Sequence, residues 1–132
     1  MDRIDSGRGE QVKNLLTDEQ NKEFDAAMAY WQKALNLSDW RVERAPGVAK
    51  GAMAQITTTY SARLASYKTG DFGGVAPTPE TIKATALHEM AHVLLAELIY
   101  LVQLPNADDN MLESAEHRVV NTLEKLLQKV AP

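Results

Sequence analysis

The chain has 132 residues, no cysteine and a formal net charge of −4. A chain of this length forms one domain able to bury its own core, and the lack of cysteine excludes a disulfide framework and a thiolate metal site. With 45% hydrophobic and 24% charged residues and no basic run, the composition is globular and does not indicate nucleic acid as a partner.

Residues 1–10 are polar and glycine-bearing, and read as the loose end of a single domain spanning 1–132. They hold no apolar signal core, so the cytoplasm is the expected location. Thr17-Asp18-Glu19-Gln20 has the form of a capping box. Phe24, Ala27, Met28, Trp31, Ala34 and Leu35 then recur at helical spacing, predicting a helix from about Asp18 to Leu37 with Trp31 in the core.

Trp40 to Arg44 alternates as a short strand, stopped by Pro46-Gly47. Ala52 to Tyr60, with its run Ile56-Thr57-Thr58-Thr59-Tyr60, predicts a second strand, and Ala62 to Tyr67 a third. Tyr60-Ser61 is a weak turn signal, which leaves one long bent strand as the alternative. The glycine-rich stretch Thr69 to Pro77 reads either as a flexible connection or as a lid bordering a cleft.

Thr78 is a helix cap, with Pro79 at the first helical position and Glu80 in the first turn. The helix that follows is apolar nearly all round, which predicts burial in the core. Lys83, His88, Glu89, His92 and Glu97 interrupt it, so it does not read as a membrane span. Beyond Leu104 to Asn110, a last helix is expected from about Met111 to Val130, with Asn110-Met111-Leu112-Glu113 as a second capping box. The order helix, two or three strands, helix, helix defines an α+β fold with helices on a small sheet.

The chemistry concentrates in Ala84 to Leu94, ATALHEMAHVL. His88 and His92, four residues apart, share one helix face and can offer two imidazole nitrogens to one ion. Zinc accepts such nitrogens at about 2.0–2.1 Å, and Glu89 beside them is placed to take a proton from a water on that ion. The alternative is a pair of core histidines held by hydrogen bonds. By chance this spacing arises in well under about one in a hundred chains of such length and average composition.

A catalytic zinc usually takes a third protein ligand. The last helix offers Glu113, Glu116, His117 and Glu124. At 100° per residue its apolar face holds Leu112, Ala115, Val119, Val120, Leu123, Leu126, Leu127 and Val130, and Glu116 falls near the centre of that arc. A carboxylate among apolar side chains is costly unless paired or bound to metal, so Glu116 stands first, ahead of Glu113 and His117. The levels are demanding. Glu116 lies about 9 Å from its helix start and His92 about 16 Å from the end of the preceding helix, unless that helix stops or bends near Ile99 or the loop makes up the difference.

Thr85 to Leu94 resembles the active-site helix of the zincin metallopeptidases. The wider arrangement resembles the short gluzincin-type domains often carried by phages and prophages. The helix with Trp31, the strand Trp40-Arg41-Val42 and the helix after Asn110 match in order. Leu95 and Leu98 stand where metzincins carry Gly and a third His, and the Asn-Glu-x-x-Ser-Asp motif of thermolysin-like enzymes is missing. The resemblance implies a zincin-like fold and a Zn²⁺-dependent peptidase. His88, His92 and a glutamate of the last helix would hold the metal, with Glu89 as general base. It further implies a peptide or protein substrate lying along an edge strand, here Ala62 to Tyr67, and an oxyanion donor among His117, Tyr100 and Tyr67. If the chain is phage-encoded, the cytoplasm is that of the host. So short a domain has little wall for a specificity pocket, so a partner protein presenting the substrate is expected. The rival reading is a non-catalytic zincin-fold binding or regulatory module, which would have no use for Glu89.

Overall fold

The structure, a computed structural model, describes residues 13–130; the loose end expected over residues 1–10 lies outside them. It is α+β, with three helices on a three-stranded mixed sheet. Helix α1 (Asp18–Ala34) starts at the predicted capping box: Thr17 Oγ1 accepts from Gln20 N at 3.1 Å, and Gln20 Oε1 accepts from Thr17 N at 3.0 Å. It ends three residues short of the expected Leu37. Asn36 takes the left-handed conformation (φ 58°), and Leu37 N and Asn36 N donate to Gln32 O and Lys33 O at 2.8 and 3.0 Å. These two bonds form a Schellman motif, which closes the helix while keeping Leu35 and Leu37 buried.

Strands β1 (Arg41–Arg44), β2 (Ala54–Thr59) and β3 (Leu64–Thr69) form the sheet in the order β1-β3-β2. β1 runs parallel to β3, and β2 runs antiparallel to it. A 3₁₀ turn at Tyr60–Ala62, followed by Arg63 at φ 50°, separates β2 from β3, so the Thr-rich run and its successor are two strands. The expected substrate strand at Ala62 to Tyr67 is corrected here: β3 is the central strand, paired on both sides, and β2 is the edge nearest the histidines.

Phe24, Met28, Ala65, Tyr67, Ile82, Ala86 and Met90 make the core between the sheet, α1 and α2. The loop after β3 is pinned. Asp71 Oδ1 accepts from Asn14 N and Gly73 N at 2.6 and 2.8 Å, and Phe72 is buried. None of the residues from Thr69 to Pro77 lines the cleft described below, so the expected border on it is not found. Gly70 cannot carry a side chain, since a Cβ there would sit 2.2 Å from Ala52 O and 2.6 Å from Ala49 O.

Helix α2 (Pro79–Val102) is capped by Thr78 as predicted, with Thr81 N donating to Thr78 Oγ1 at 3.2 Å. It runs past Ile99 to Val102. Its length and apolar content would suffice to cross a membrane, but here it forms the spine of the domain, packed by α1, β2 and helix α3 (Asp109–Val130). The expected all-round burial is not found: Leu95, Ile99, Tyr100 and Val102 are exposed. α3 starts at Asp109, and its cap is Asp108, whose Oδ1 accepts from Met111 N at 2.8 Å. That replaces the Asn110 capping box and leaves Glu113 exposed.

Only part of the predicted apolar arc of α3 is covered. Leu112, Ala115, Val119, Thr122 and Leu126 turn inward, at alternating spacings of three and four residues. Val120, Leu123, Leu127 and Glu116 are exposed, and the side chain of Val130 lies outside the description. The cause is position. α3 sits on the rim and meets α2 along one flank, so periodicity marks an arc wider than its neighbour covers.

Candidate metal centre

His88, Glu89 and His92 sit halfway along α2, where it faces β2. A cleft of about 480 Å³ opens there, lined by Ala54, Gln55, Ile56 and Thr58 of β2, by Tyr60, and by Ala96, Ile99, Tyr100 and Gln103 of α2 with the three motif residues. This size falls within the range of small-molecule and peptide sites. A larger groove of about 1150 Å³ lies between the end of α1 and α3. Its lining includes no histidine.

The helical repeat sets the two imidazoles one above the other, with ring centroids 5.1 Å apart and planes at 78°. Both histidines are exposed, so they are not a hydrogen-bonded core pair. Glu89, one residue further round, turns toward the core and is 6% exposed. Among the described residues no hydrogen bond reaches its carboxylate. Burial raises its pKa above the usual carboxylate value, and the neighbouring charges of His88 and His92 oppose that rise. A buried, unpaired carboxylate with raised basicity beside two accessible imidazoles suits proton transfer.

The third donor is different. Glu116 is exposed, as are Glu113 and His117, and none of them lines the cleft. The described residues contain no group of three His, Asp or Glu side chains able to hold a metal. The direction of docking explains this. At 100° per residue, Glu97 and Leu94 lie about 180° and 240° round α2 from His88. They are the ones that meet α3: Arg118 Nε donates to Glu97 Oε1 at 2.7 Å, and Leu94 shares a groove with Val119 and Leu126. The placement of Glu116 in the buried arc is therefore corrected. The two histidines and the base fit a divalent cation, and the described residues do not gather a third ligand beside them.

The three oxyanion candidates separate. Tyr100 lines the cleft. Tyr67, on the same sheet face, is buried under α1, its hydroxyl donating to Asp25 Oδ1 at 2.5 Å, and burial followed by that bond raises its pKa. His117 stands on α3, away from the cleft. Tyr60, which sequence reasoning did not single out, lines the cleft and stacks 5.1 Å from Tyr100. Its hydroxyl donates to Glu97 Oε2 at 2.7 Å and accepts from Arg63 Nη2 at 3.0 Å. Arg118 and Tyr60 together hold the Glu97 carboxyl below its ordinary value against the opposing effect of burial. This network braces α2, the 3₁₀ turn and α3 behind the cleft. Gln55 and Thr58 also went unremarked, because no local pattern marks which strand is an edge.

No family model, curated protein or solved structure matches this chain.

Proposed function

We propose that this protein is a zinc-dependent peptidase of zincin type, with His88 and His92 as metal ligands and Glu89 as general base. The observation that carries the reading is the buried Glu89 carboxylate, with no hydrogen-bond partner among the described residues, beside two accessible imidazoles that share one helix face. Zinc held there supplies a Lewis acid and a water acidified toward neutrality. Glu89 takes up the proton of the attacking water and passes it to the leaving amine. Among the described residues the outer edge of β2 has no strand partner, which supports an extended peptide as substrate, added as a further strand along the cleft. Tyr100, in the cleft with no hydrogen bond to its hydroxyl among the described residues, is the oxyanion donor of this reading.

A second reading, a zincin-fold binding or regulatory module, is favoured by one observation: the described residues gather two metal donors and not three. Elemental analysis and a peptide-library assay on the native chain, His88→Ala and Glu89→Gln separate the two. The peptidase reading expects zinc in the native chain and in Glu89→Gln, zinc lost in His88→Ala, and cleavage by the native chain alone. Equal metal in the native chain and His88→Ala sinks the metal site. Zinc without cleavage of any peptide favours the module.

A further inference from the structure

We propose that the groove between the end of α1 and α3 is a docking site for an acidic amphipathic helix of a partner protein. The site is separate from the metal centre and does not rest on the metal reading above.

Charge selects the partner. Five cationic side chains and two carboxylates line the groove, a balance of +3 in a chain whose formal net charge is −4. Both carboxylates are already engaged. Arg63 Nη1 donates to Asp39 Oδ2 at 2.6 Å, and Arg118 Nε donates to Glu97 Oε1 at 2.7 Å. Lys33, Lys125 and Lys129 are exposed, and among the described residues none of them forms an ion pair. Lys33 stands on one bank, in the last turn of α1, and Lys125 and Lys129 stand one turn apart on the other. A segment lying between the banks therefore meets uncompensated positive charge from both sides. Its underside meets apolar surface. α1 and α3 both pack on α2, so α2 makes the floor, and its Leu94 lies there with Val119 and Leu126 of α3, all three half-buried.

The backbone selects the form of the partner. On the bank after α1, the N–H groups of Leu35, Asn36, Leu37 and Trp40 all donate to nearby carbonyls. Gln32 Nε2 donates to Leu37 O and Trp40 O at 3.0 and 2.8 Å. The opposite bank is a helix, bonded within itself. A strand entering here would find no edge to pair with, so the segment must satisfy its own backbone, as a helix does. Size agrees. α3 lines the groove from Arg118 to Lys129, about 16 Å of helix. A helix about 10 Å across and 15 Å long, roughly ten residues, has a volume of about 1200 Å³. The groove holds about 1150 Å³. A nucleic acid strand fits less well. Trp40 is 6% exposed and Arg63 covers the Tyr60 ring at 4.4 Å, so no aromatic among the lining residues offers a base a stacking face. Tyr60 lines both the groove and the metal cleft, so a partner held here lies beside that cleft.

A displayed library of random peptides of about twelve residues, selected on the full-length chain, tests this. The selected pool should be rich in Asp and Glu, with Leu, Ile or Phe recurring at spacings of three and four. A synthetic peptide from the pool should bind in fluorescence anisotropy and gain helical circular dichroism on binding. On a Lys33→Glu/Lys125→Glu/Lys129→Glu chain with an unchanged melting temperature, its affinity should fall at least about tenfold. On the native chain, its affinity should fall several-fold between about 0.05 and 0.5 M sodium chloride, which reads the charge contribution even where the triple variant does not fold. A pool without acidic enrichment overturns the proposal. So does a peptide that binds the native and triple-variant chains alike, that is indifferent to salt, or that tolerates a proline at its centre. An oligothymidylate or a phosphatidylserine vesicle that binds the native chain and not the variant, while no peptide is selected, overturns it as well. None of these outcomes bears on zinc at His88 and His92.

Discussion

Glu89→Gln probes the chemistry and the fold at once. The change keeps the side-chain shape at a position 6% exposed, so packing is preserved and only charge and proton affinity change. If Glu89 is the general base, kcat should fall by about 10²–10⁴, or roughly 2.7–5.5 kcal/mol in the barrier, with zinc retained. Stability should move the other way in metal-free protein. Burial raises the carboxyl pKa above its ordinary value, so the folded state holds the proton to higher pH than the unfolded chain does. What this group contributes to stability is therefore present below the unfolded value and is lost as pH rises through the folded one. The neutral amide loses nothing over that window. Thermal melts should show a gain of Glu89→Gln over the native chain near pH 7 that shrinks as the pH drops toward 4. Activity within about tenfold of native would refute the base assignment. A variant less stable than native at pH 7 would refute the claim that the carboxylate is buried without a partner.

Gly70→Ala should be strongly destabilising, by about 2 kcal/mol or more, because its Cβ would overlap the carbonyl oxygens of Ala52 and Ala49; an unchanged melting temperature would contradict that close approach. Tyr100→Phe and Tyr67→Phe form a contrasting pair. Tyr100→Phe should lower kcat with zinc content and stability unchanged. Tyr67→Phe should leave kcat unchanged and cost about 1–1.5 kcal/mol in chemical denaturation, for the lost bond to Asp25. Reversal of the two phenotypes would mean that the reacting site lies toward α1 and not at the cleft between α2 and β2.

Local rules were legible in the amino-acid order. The Thr17 and Thr78 caps, the helix pair bracketing three short strands and the His-Glu-x-x-His platform depend on residues within one turn of each other, where spacing alone decides geometry. The stop of α1 was nearly legible, but Asn36 supplies the left-handed residue where glycine is the usual signal. What distance along the chain separates, only the packing decided. That β3 rather than β2 is central follows from β1 pairing with β3 across an intervening strand, and no local pattern encodes it. The same holds for α3. Periodicity finds an apolar arc on a helix but not how much of the arc its neighbours cover, and so Glu116, central in that arc by sequence, stands exposed in the fold. The sequence by itself determined which side chains lie on one helix face. The tertiary structure decided which faces meet, because burial is a property of two surfaces and each segment of sequence describes only one.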